Sequence, residues 1–366
     1  MKKKSDKKNE AVPAEDRKDA ADDLEEYVRQ GEPEKKERGY LWRTAIGLQD
    51  TDGLKPSPYL IETAKQNIDG SITIYEAKER IENYYKAKPA KKDGDRTEEA
   101  DKVSARIAEI LSERTFIFSP AEYIGIHRRL FQGIYKFAGK IRDYNITKAE
   151  WVLNGKTVFY ASAADIAAAL EHDFDREKRF DYRNIGLPEA VKHIAGFISD
   201  IWQIHAFGEG NTRTTAVFAI KYLRSFGFDA GNDIFAENAW YFRNALVRAN
   251  YNDLKSGITA TKEYLERFFG NMLLGEKNEL KNRDMHVSFK DKASGRQSGR
   301  EAECTVDEQI VLKFFRDNPK ATQKDVAAHI HRSERTVKNI TAALQEKGLL
   351  ERRNGRRSGY WAPRSD

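Results

Sequence analysis

The sequence predicts a mainly α-helical fold that carries one β-hairpin and is followed by a separate C-terminal domain. Apolar side chains recur at helical spacing in seven stretches between residues 103 and 274. Asn154-Gly155, placed between β-branched and aromatic residues, is a strong signal for a hairpin over residues 151–160. Polar stretches at 88–102 and 275–303 are typical of linkers between domains. We expect the seven helices at residues 103–111, 121–137, 163–174, 188–203, 211–226, 236–249 and 259–273.

The composition excludes several classes of protein. The chain has 366 residues, of which 39% are hydrophobic and 11% aromatic, so it can build a sizeable core and is not expected to be disordered throughout or fibrous. No run approaches the ~20 apolar residues of a membrane span, and no apolar segment of a secretory signal follows the basic start. Cys304 is the single cysteine, which excludes an internal disulfide and a thiolate zinc site. We therefore expect a cytoplasmic protein that makes no membrane contact.

The N-terminal part of the chain divides into an arm and a helical module. Residues 1–39 hold 11 Lys and Arg and 12 Asp and Glu with few large apolar side chains, a composition typical of a disordered arm. Residues 40–87 alternate helical stretches with breakers such as Asp52-Gly53 and Asp69-Gly70, and Ser57 fits a helix N-cap. The pattern predicts a small module of three helices.

The C-terminal region, residues 304–366, has the element order of a winged helix-turn-helix. Three short amphipathic stretches, 306–317, 323–330 and 334–347, precede two short strands around a basic turn. With 13 Lys and Arg against 8 Asp and Glu, the region carries a net charge of +5 out of the chain's +6, which favours double-stranded DNA as a partner. The alternative is a domain for dimerisation or protein docking with solvated arginines. The residues expected to contact nucleic acid are Arg335, Lys338, Asn339, Arg352, Arg353, Arg356 and Arg357.

The segment that indicates chemistry is residues 204–214, IHAFGEGNTRT, where an apolar helix ends, a glycine-containing loop follows and a second helix begins. Glycines let the backbone approach a ligand, and a helix N-terminus offers free N–H groups to phosphate. Arg213 can add a fork of donors for the same oxygens. Glu209 beside phosphates suits a magnesium ion, which takes one or two carboxylates. His205 is a candidate general base because its ordinary pKa lies near neutrality.

Each of these features is ordinary when taken singly. A lone histidine between two helices is usually a structural residue that makes hydrogen bonds, and glycine turns between helices are common. Residues 205–213 combine a base, a carboxylate, two glycines, an asparagine and an arginine within nine positions. That combination favours the functional interpretation.

The loop resembles the signature of the Fic family, His-x-Phe-x-Asp/Glu-Gly-Asn-Gly-Arg-x-x-Arg. Residues 126–142 resemble the helix and turn that lead into it, and the hairpin at 151–160 lies where Fic proteins keep the flap that aligns a target segment by strand addition. The resemblance covers a Fic-type helical domain at residues 103–274. The residues that match the signature are His205, Phe207, Glu209, Gly210, Asn211 and Arg213.

The resemblance implies a protein adenylyltransferase, which moves AMP from ATP to a Ser, Thr or Tyr hydroxyl of a target protein with Mg²⁺ as cofactor. By that resemblance His205 is the base, Glu209 holds the metal ion and Arg213 binds phosphate. Phe207 anchors the loop in the core. The residues implied to line the nucleotide site are Phe207, Gly208, Gly210, Asn211, Thr212 and Arg213.

Two departures from the signature leave a second function open. Thr212 stands where the family has glycine, and Ala216 stands where it has the second arginine, which reaches the γ-phosphate in relatives. A nucleotide other than ATP, or a slow enzyme, is consistent with these changes. So is a nucleotide-sensing, DNA-binding transcriptional regulator with a degenerate Fic domain. The sequence also leaves a homodimer open.

The N-terminal module, residues 40–87, resembles the small antitoxin modules of Fic proteins, in which a glutamate pairs with the second arginine. Asp52 occupies the glutamate position here, Gly53 follows it, and Leu48 occupies the Ser/Thr position. Because Ala216 offers no charge, we expect Asp52 to face no cation, so that any regulation comes from steric cover. If Asp52 finds another cation, Arg213 is the nearest candidate in the sequence. A helical cap without a regulatory role is the alternative.

Overall fold

The structure, a computed structural model, describes residues 33–88, 96–182, 185–228, 233–289, 311–353 except 313, 317 and 330–332, and 359–363. The chain divides into two compact units, Met1–Phe289 and Lys290–Asp366. Within the described residues, no helix has the length and the apolar character needed to cross a membrane.

The first unit begins with α1 (Pro33–Gly47), a 3-10 turn (Leu48–Asp52), α2 (Pro58–Asp69) and α3 (Ile74–Lys86). Ser57 caps α2 as predicted and accepts a hydrogen bond from the Leu60 amide. A capping box formed by Thr73 and Glu76 starts α3. Helix α1 starts seven residues before the predicted boundary at residue 40, so residues 33–39 are helical and not part of an arm. Residues 1–32 lie outside the described part of the chain.

Helix α4 (Thr97–Ser112) overlaps the predicted linker at 88–102, which is wrong for residues 97–102. Two acidic side chains of this stretch, Glu99 and Asp101, are buried and paired instead of solvated. Asp101 is fully buried and accepts hydrogen bonds from the Tyr85 hydroxyl at 2.6 Å and the Ser57 amide at 2.8 Å. These contacts join α4 to α2 and α3, and residues 89–95 of the predicted linker lie outside the described residues.

The remaining helices of this unit form one apolar core together with the N-terminal module. Trp42, Leu48 and Ile68 of the module are fully buried in the same core as Phe207 and Phe218. The module at 40–87 is therefore part of the unit and not a separate body. The helices are α5 (Pro120–Phe131), α6 (Ile166–Lys178), α7 (Leu187–Ile204), α8 (Asn211–Ser225), α9 (Ile234–Glu237), α10 (Ala239–Ala249), α11 (Glu263–Leu273) and α12 (Asn282–Met285).

The predicted β-hairpin at 151–160 is a turn without strands. Asn154 and Gly155 have positive φ angles of 56° and 80°, as their residue types predict, and the Glu150 amide donates to the Lys156 carbonyl at 3.0 Å. Trp151–Leu153 forms a 3-10 turn, and no residue of 151–160 is in a strand. Val152 and Leu153 are both buried, so neighbouring side chains do not alternate between core and solvent as they would in a half-buried strand.

Residues 275–289 belong to the packed unit, although the sequence predicted a linker over 275–303. Met285 is 1% exposed, and the Val287 amide donates to the Val152 carbonyl at 2.9 Å. This segment therefore holds the turn at 151–155 in place. Residues 290–303 lie outside the described residues.

The second unit has the predicted order of helices followed by an antiparallel pair of strands. Residues 311–312 and 314–316 are helical and precede α13 (Gln323–His329) and α14 (Glu334–Glu346), which Ser333 caps as predicted. Strands β1 (Leu350–Arg353) and β2 (Tyr360–Pro363) follow, with Arg352 opposite Trp361. A small core of its own fills this unit. Its buried residues include Val311, Phe315, Val326, Val337, Leu344, Leu350 and Trp361.

Candidate functional site

Residues 205–210 form the loop between α7 and α8. His205 ends α7 in the left-handed conformation, with φ 51° and ψ 56°. The Asn211 side chain closes the loop, since its Oδ1 accepts from the Phe207 amide at 3.0 Å and its Nδ2 donates to the Phe207 carbonyl at 2.7 Å. Phe207 is fully buried and anchors the loop in the core, with its ring 3.7 Å from that of His127. The backbone of the loop is therefore held at Phe207 by Asn211 and by the core.

The two loop glycines differ in how closely their neighbours approach. A Cβ on Gly208 would lie 2.6 Å from the Tyr144 hydroxyl oxygen, the end of an exposed side chain that can shift. A Cβ on Gly210, whose φ is +80°, would lie 2.4 Å from the Phe131 ring. Gly210 also starts α8 without a side-chain cap, so the first amides of α8 are not capped by a neighbouring side chain.

His127 and Arg142 position the loop, and the sequence analysis assigned a role to neither. The Arg142 Nε donates to the His205 carbonyl at 2.8 Å, and its backbone amide donates to the Ala206 carbonyl at 2.9 Å. His127 Nδ1 accepts from the Gly139 amide, so its Nε2 carries the proton and donates to the Glu209 carbonyl at 3.0 Å. Burial lowers the pKa of His127 to about 4. His127 falls on the apolar stripe of α5, a sequence signal for a buried histidine with a local partner.

The His205 ring is buried and unpartnered. Its residue is 3% exposed, and among the described residues neither ring nitrogen has a hydrogen-bond partner. The Tyr160 ring lies 4.1 Å away between centroids. Burial, with added repulsion from Lys148 and Arg142, lowers the pKa of His205 well below its ordinary value of 6.5, so the imidazole is neutral at pH 7. A structural histidine would be hydrogen-bonded, as His127 is, whereas His205 keeps both nitrogens available.

Glu209 lies at the edge of the site and pairs with a lysine. Its Oε2 is 2.9 Å from Lys148 Nζ, and 36% of its side chain is exposed. Within the described residues no group of three or more His, Cys, Asp or Glu could hold a metal ion on its own. A magnesium ion bound mainly by substrate phosphates and water needs only one such carboxylate, and Glu209 fits that role once Lys148 moves aside.

Arg213 lies fully buried at the first turn of α8, where it is held by groups from three other elements. Its Nη2 donates to Glu99 Oε1 at 2.7 Å, its Nη1 donates to Gln49 Oε1 at 3.1 Å, and its guanidinium lies over the Phe131 ring. Burial alone would lower its pKa, but the negative charges of Asp52 and Glu99 leave the pKa of Arg213 raised.

Asp52 forms an ion pair, contrary to the prediction that it faces no cation. Its Oδ2 lies 2.8 Å from Arg213 Nε, and its side chain is 12% exposed. Gly53, with φ +64°, ends the 3-10 turn and donates to the Asp50 carbonyl. The expectation rested on the missing charge at Ala216, whereas the first arginine of the signature, Arg213, is the cation that reaches Asp52. Ala216 itself is fully buried in α8.

Arg243, on α10, is a second cation of the site that the sequence analysis missed. Its Nη1 donates to the Thr51 carbonyl at 2.9 Å, and its Nη2 donates to Glu150 Oε2 at 2.9 Å. The same Nη1 is 3.9 Å from Asp52 Oδ1. Burial raises the pKa of Glu150, although Arg243 opposes the shift. The signal in the sequence is Ala216, because an arginine missing from the signature indicates that a cation from elsewhere in the chain takes its place.

These groups enclose a cavity of only about 10 Å³, which is about the space of one water molecule. Thr212 contributes a hydroxyl that accepts from Trp202 Nε1 at 3.0 Å. A nucleotide needs a pocket of roughly 300 Å³ or more, so this is a closed form of the site. The cavity is lined by Asp52, Lys148, Glu150, Trp202, His205, Glu209, Asn211, Thr212 and Arg243.

The predicted nucleic-acid residues of the second unit differ in their surroundings. Arg335, Lys338 and Asn339 are exposed on α14. The Arg352 guanidinium lies over the Trp361 ring at 4.7 Å, and Arg353 pairs with the neighbouring Glu351 at 3.2 Å. Arg356 and Arg357 lie outside the described residues.

The site combines a buried histidine, a loop with two glycines and the N-terminus of a helix beside one small cavity. Residues 117–223, which include the whole loop, form a domain of the Fic/DOC family. The family match includes Arg142, His205 and Arg213, but neither Asp52 nor Arg243.

Two curated relatives are both named protein adenylyltransferases. The protein adenylyltransferase VbhT of Bartonella schoenbuchensis is 28% identical over 103 residues, which is 28% of this chain and 20% of the relative. The probable protein adenylyltransferase y4lH of Sinorhizobium fredii is 28% identical over 137 residues, which is 37% of this chain and 66% of the relative. The similarity therefore spans less than two thirds of either relative's length.

Proposed function

We propose that this protein transfers AMP from ATP to a hydroxyl group of a target protein. The observation that carries the proposal is the neutral, buried His205, whose two ring nitrogens have no partner among the described residues. The Fic/DOC domain and the names of the two relatives support the same reaction. The closed form of the site must open before ATP binds, because a cavity of about 10 Å³ does not admit a nucleotide.

In the proposed reaction the target hydroxyl loses its proton to a ring nitrogen of His205 while its oxygen attacks the α-phosphorus of ATP. The bond from the α-phosphorus to the oxygen that bridges to the β-phosphate breaks, and pyrophosphate leaves. The target then carries AMP as a phosphodiester. The uncapped start of α8 would face negative charge on the phosphate oxygens. Glu209 would hold Mg²⁺, which stabilises charge on those oxygens when bound.

A labelling experiment separates this reaction from two others. The full chain is incubated with Mg²⁺, a lysate and ATP labelled in either the α- or the γ-phosphate. AMP transfer puts only the α-label on protein, whereas phosphoryl transfer puts only the γ-label there. The DNA-binding nucleotide sensor considered above would bind ATP and label nothing. Repeating the α-label arm with the other nucleoside triphosphates tests whether Thr212 and Ala216 change the base that is used.

Replacing Glu209 with glutamine should remove the Mg²⁺ dependence of nucleotide binding, because the neutral amide is a weak ligand for the ion. Calorimetric ATP titrations with and without Mg²⁺ measure this directly. We expect wild type to bind Mg-ATP at least ~10-fold more tightly than free ATP, and Glu209→Gln to show less than ~3-fold difference. Glu171→Gln, at an exposed position of α6, is the matched control. An unchanged Mg²⁺ effect in Glu209→Gln would exclude Glu209 as the ligand.

We also propose that the second unit binds double-stranded DNA through α14, on which Arg335 and Lys338 are exposed. The contacts would be mainly to phosphate, so affinity should fall by more than ~100-fold between about 50 and about 200 mM salt. Arg335→Gln combined with Lys338→Gln should lower the salt slope by about 2. Lys255→Gln, on the first unit, should leave the slope unchanged. Absence of binding at low salt would favour the protein-docking alternative.

A further inference from the structure

Two arginines at the site, Arg213 and Arg243, bind three oxygen acceptors that belong to one short segment. The segment is the 3-10 turn Leu48–Asp52, and its acceptors are the Gln49 side-chain oxygen, the Thr51 carbonyl and the Asp52 carboxylate. Arg213 donates to Gln49 and pairs with Asp52. Arg243 donates to the Thr51 carbonyl at 2.9 Å and lies 3.9 Å from the Asp52 carboxylate. One carboxylate thus faces two guanidinium groups that come from different helices.

Each arginine also has an anionic partner outside this segment, which would keep it in place if the segment moved. Glu99 of α4 holds Arg213 at 2.7 Å. Glu150, just before the turn at 151–155, holds Arg243 at 2.9 Å. Withdrawal of the segment would therefore free donor groups on both guanidinium groups without releasing either side chain. Two fixed forks of donors that share one carboxylate are also suited to oxygens of a polyphosphate.

Ala216 leaves the signature one cation short, and Arg243 is placed to supply it. Arg243 lines the same cavity as His205, Glu209 and Thr212, although it lies 27 residues after Ala216 in the sequence. It belongs to α10 and not to α8, so a search of the signature alone could not find it. Its Nη1 and Asp52 Oδ1 are 3.9 Å apart, so a phosphate that replaced the carboxylate would meet both arginines.

We propose that Arg243 is the second phosphate-binding residue of this site, in the place that Ala216 leaves without a cation. The proposal rests on the proposed function in that the ligand is a nucleotide bound beside His205. It adds a binding residue for the phosphates beyond the first, because a single phosphate group would need only Arg213 and the start of α8.

The test compares the affinities of the full chain for ATP, ADP and AMP by calorimetry. Arg243→Gln should weaken ATP and ADP binding by about 10-fold or more and AMP binding by less than about 3-fold. Arg243→Lys, which keeps a charge but not the fork, should weaken ATP binding to an intermediate degree. Arg248→Gln, which removes the same charge from the same helix outside the cavity lining, should leave all three affinities unchanged.

The comparison of nucleotides distinguishes phosphate binding from a purely structural role. If Arg243 served only to hold Glu150 and Thr51, Arg243→Gln would lower the melting temperature and leave the ratio of ATP to AMP affinity unchanged, which would overturn the proposal. If Arg243→Gln does not fold, the ratio of ATP to AMP affinity is measured in Arg243→Lys, which keeps a positive charge beside Glu150 and should lower that ratio to an intermediate degree. Wild type that binds ATP with an Arg243-dependent ratio but labels no protein would sustain this proposal and refute the proposed reaction.

Discussion

His205→Ala is expected to lower AMP transfer by at least about 100-fold while it leaves the affinity for ATP within about 3-fold of wild type. A general base acts on the proton of the target hydroxyl and contributes little to holding phosphate. The neutral His205 ring, with both nitrogens unpartnered among the described residues, is ready to accept that proton. Initial rates of α-label transfer, with calorimetric ATP binding on the same samples, measure the two effects separately.

The control for this variant is His172→Ala, since His172 is an exposed histidine on α6 whose side chain is 71% exposed. It should transfer AMP at the wild-type rate. Full transfer by His205→Ala would remove the residue from the reaction. A parallel loss of ATP affinity would instead indicate that His205 holds the loop, a role that the structure gives to Arg142 and His127.

The pH dependence of transfer follows from the lowered pKa of His205. Protonation would inactivate the base, and its pKa lies well below 6.5, so the neutral form persists as the pH falls through the ordinary histidine value. Wild-type transfer should therefore stay level from about pH 8 down to about pH 6.5 and decline only under more acidic conditions. A half-maximal rate at pH 6.5 would show that opening of the site restores an ordinary pKa.

The loop between α7 and α8 could be predicted because its information is local. Residues 205–213 are contiguous, and the helices on either side have strong apolar periodicity, so the order of groups in the sequence is also their order in space. Ser57 and Ser333 were found as helix caps for the same reason, since a cap depends on its own first turn. Asn154-Gly155 fixed a turn but not the strands beside it, because strands depend on pairing and burial elsewhere.

The polar contacts that close the site could not be predicted, because sequence separation gives no distance. Arg213 lies more than 160 residues from Asp52, and Arg243 lies more than 190 residues from Thr51. A linker was predicted over 97–102 because acidic residues are usually exposed to solvent. In the fold Glu99 and Asp101 are buried and paired, which composition alone cannot indicate.

Asp52→Asn should increase both ATP affinity and AMP transfer by about 10-fold or more. The Asp52 carboxylate competes with phosphate for Arg213 and Arg243, and the amide keeps the shape but lacks the charge. A ligand that must displace a charged partner binds more weakly by the free energy of that contact. Asp50→Asn, at an exposed position of the same 3-10 turn, should change neither quantity.

Deletion of the N-terminal module would test the competition between Asp52 and phosphate less clearly than the single substitution. Trp42, Leu48 and Ile68 are fully buried in the core that also contains Phe207, so removing them would disturb the loop that carries His205. Asp52→Asn removes one charge, and Arg213 keeps Glu99 as an anionic partner, so the cost of an unpaired buried charge is limited. Melting temperatures within a few degrees of wild type would verify that the fold survives. ATP affinity and transfer that stay at wild-type values in such a folded variant would show that the 3-10 turn covers the site by shape alone.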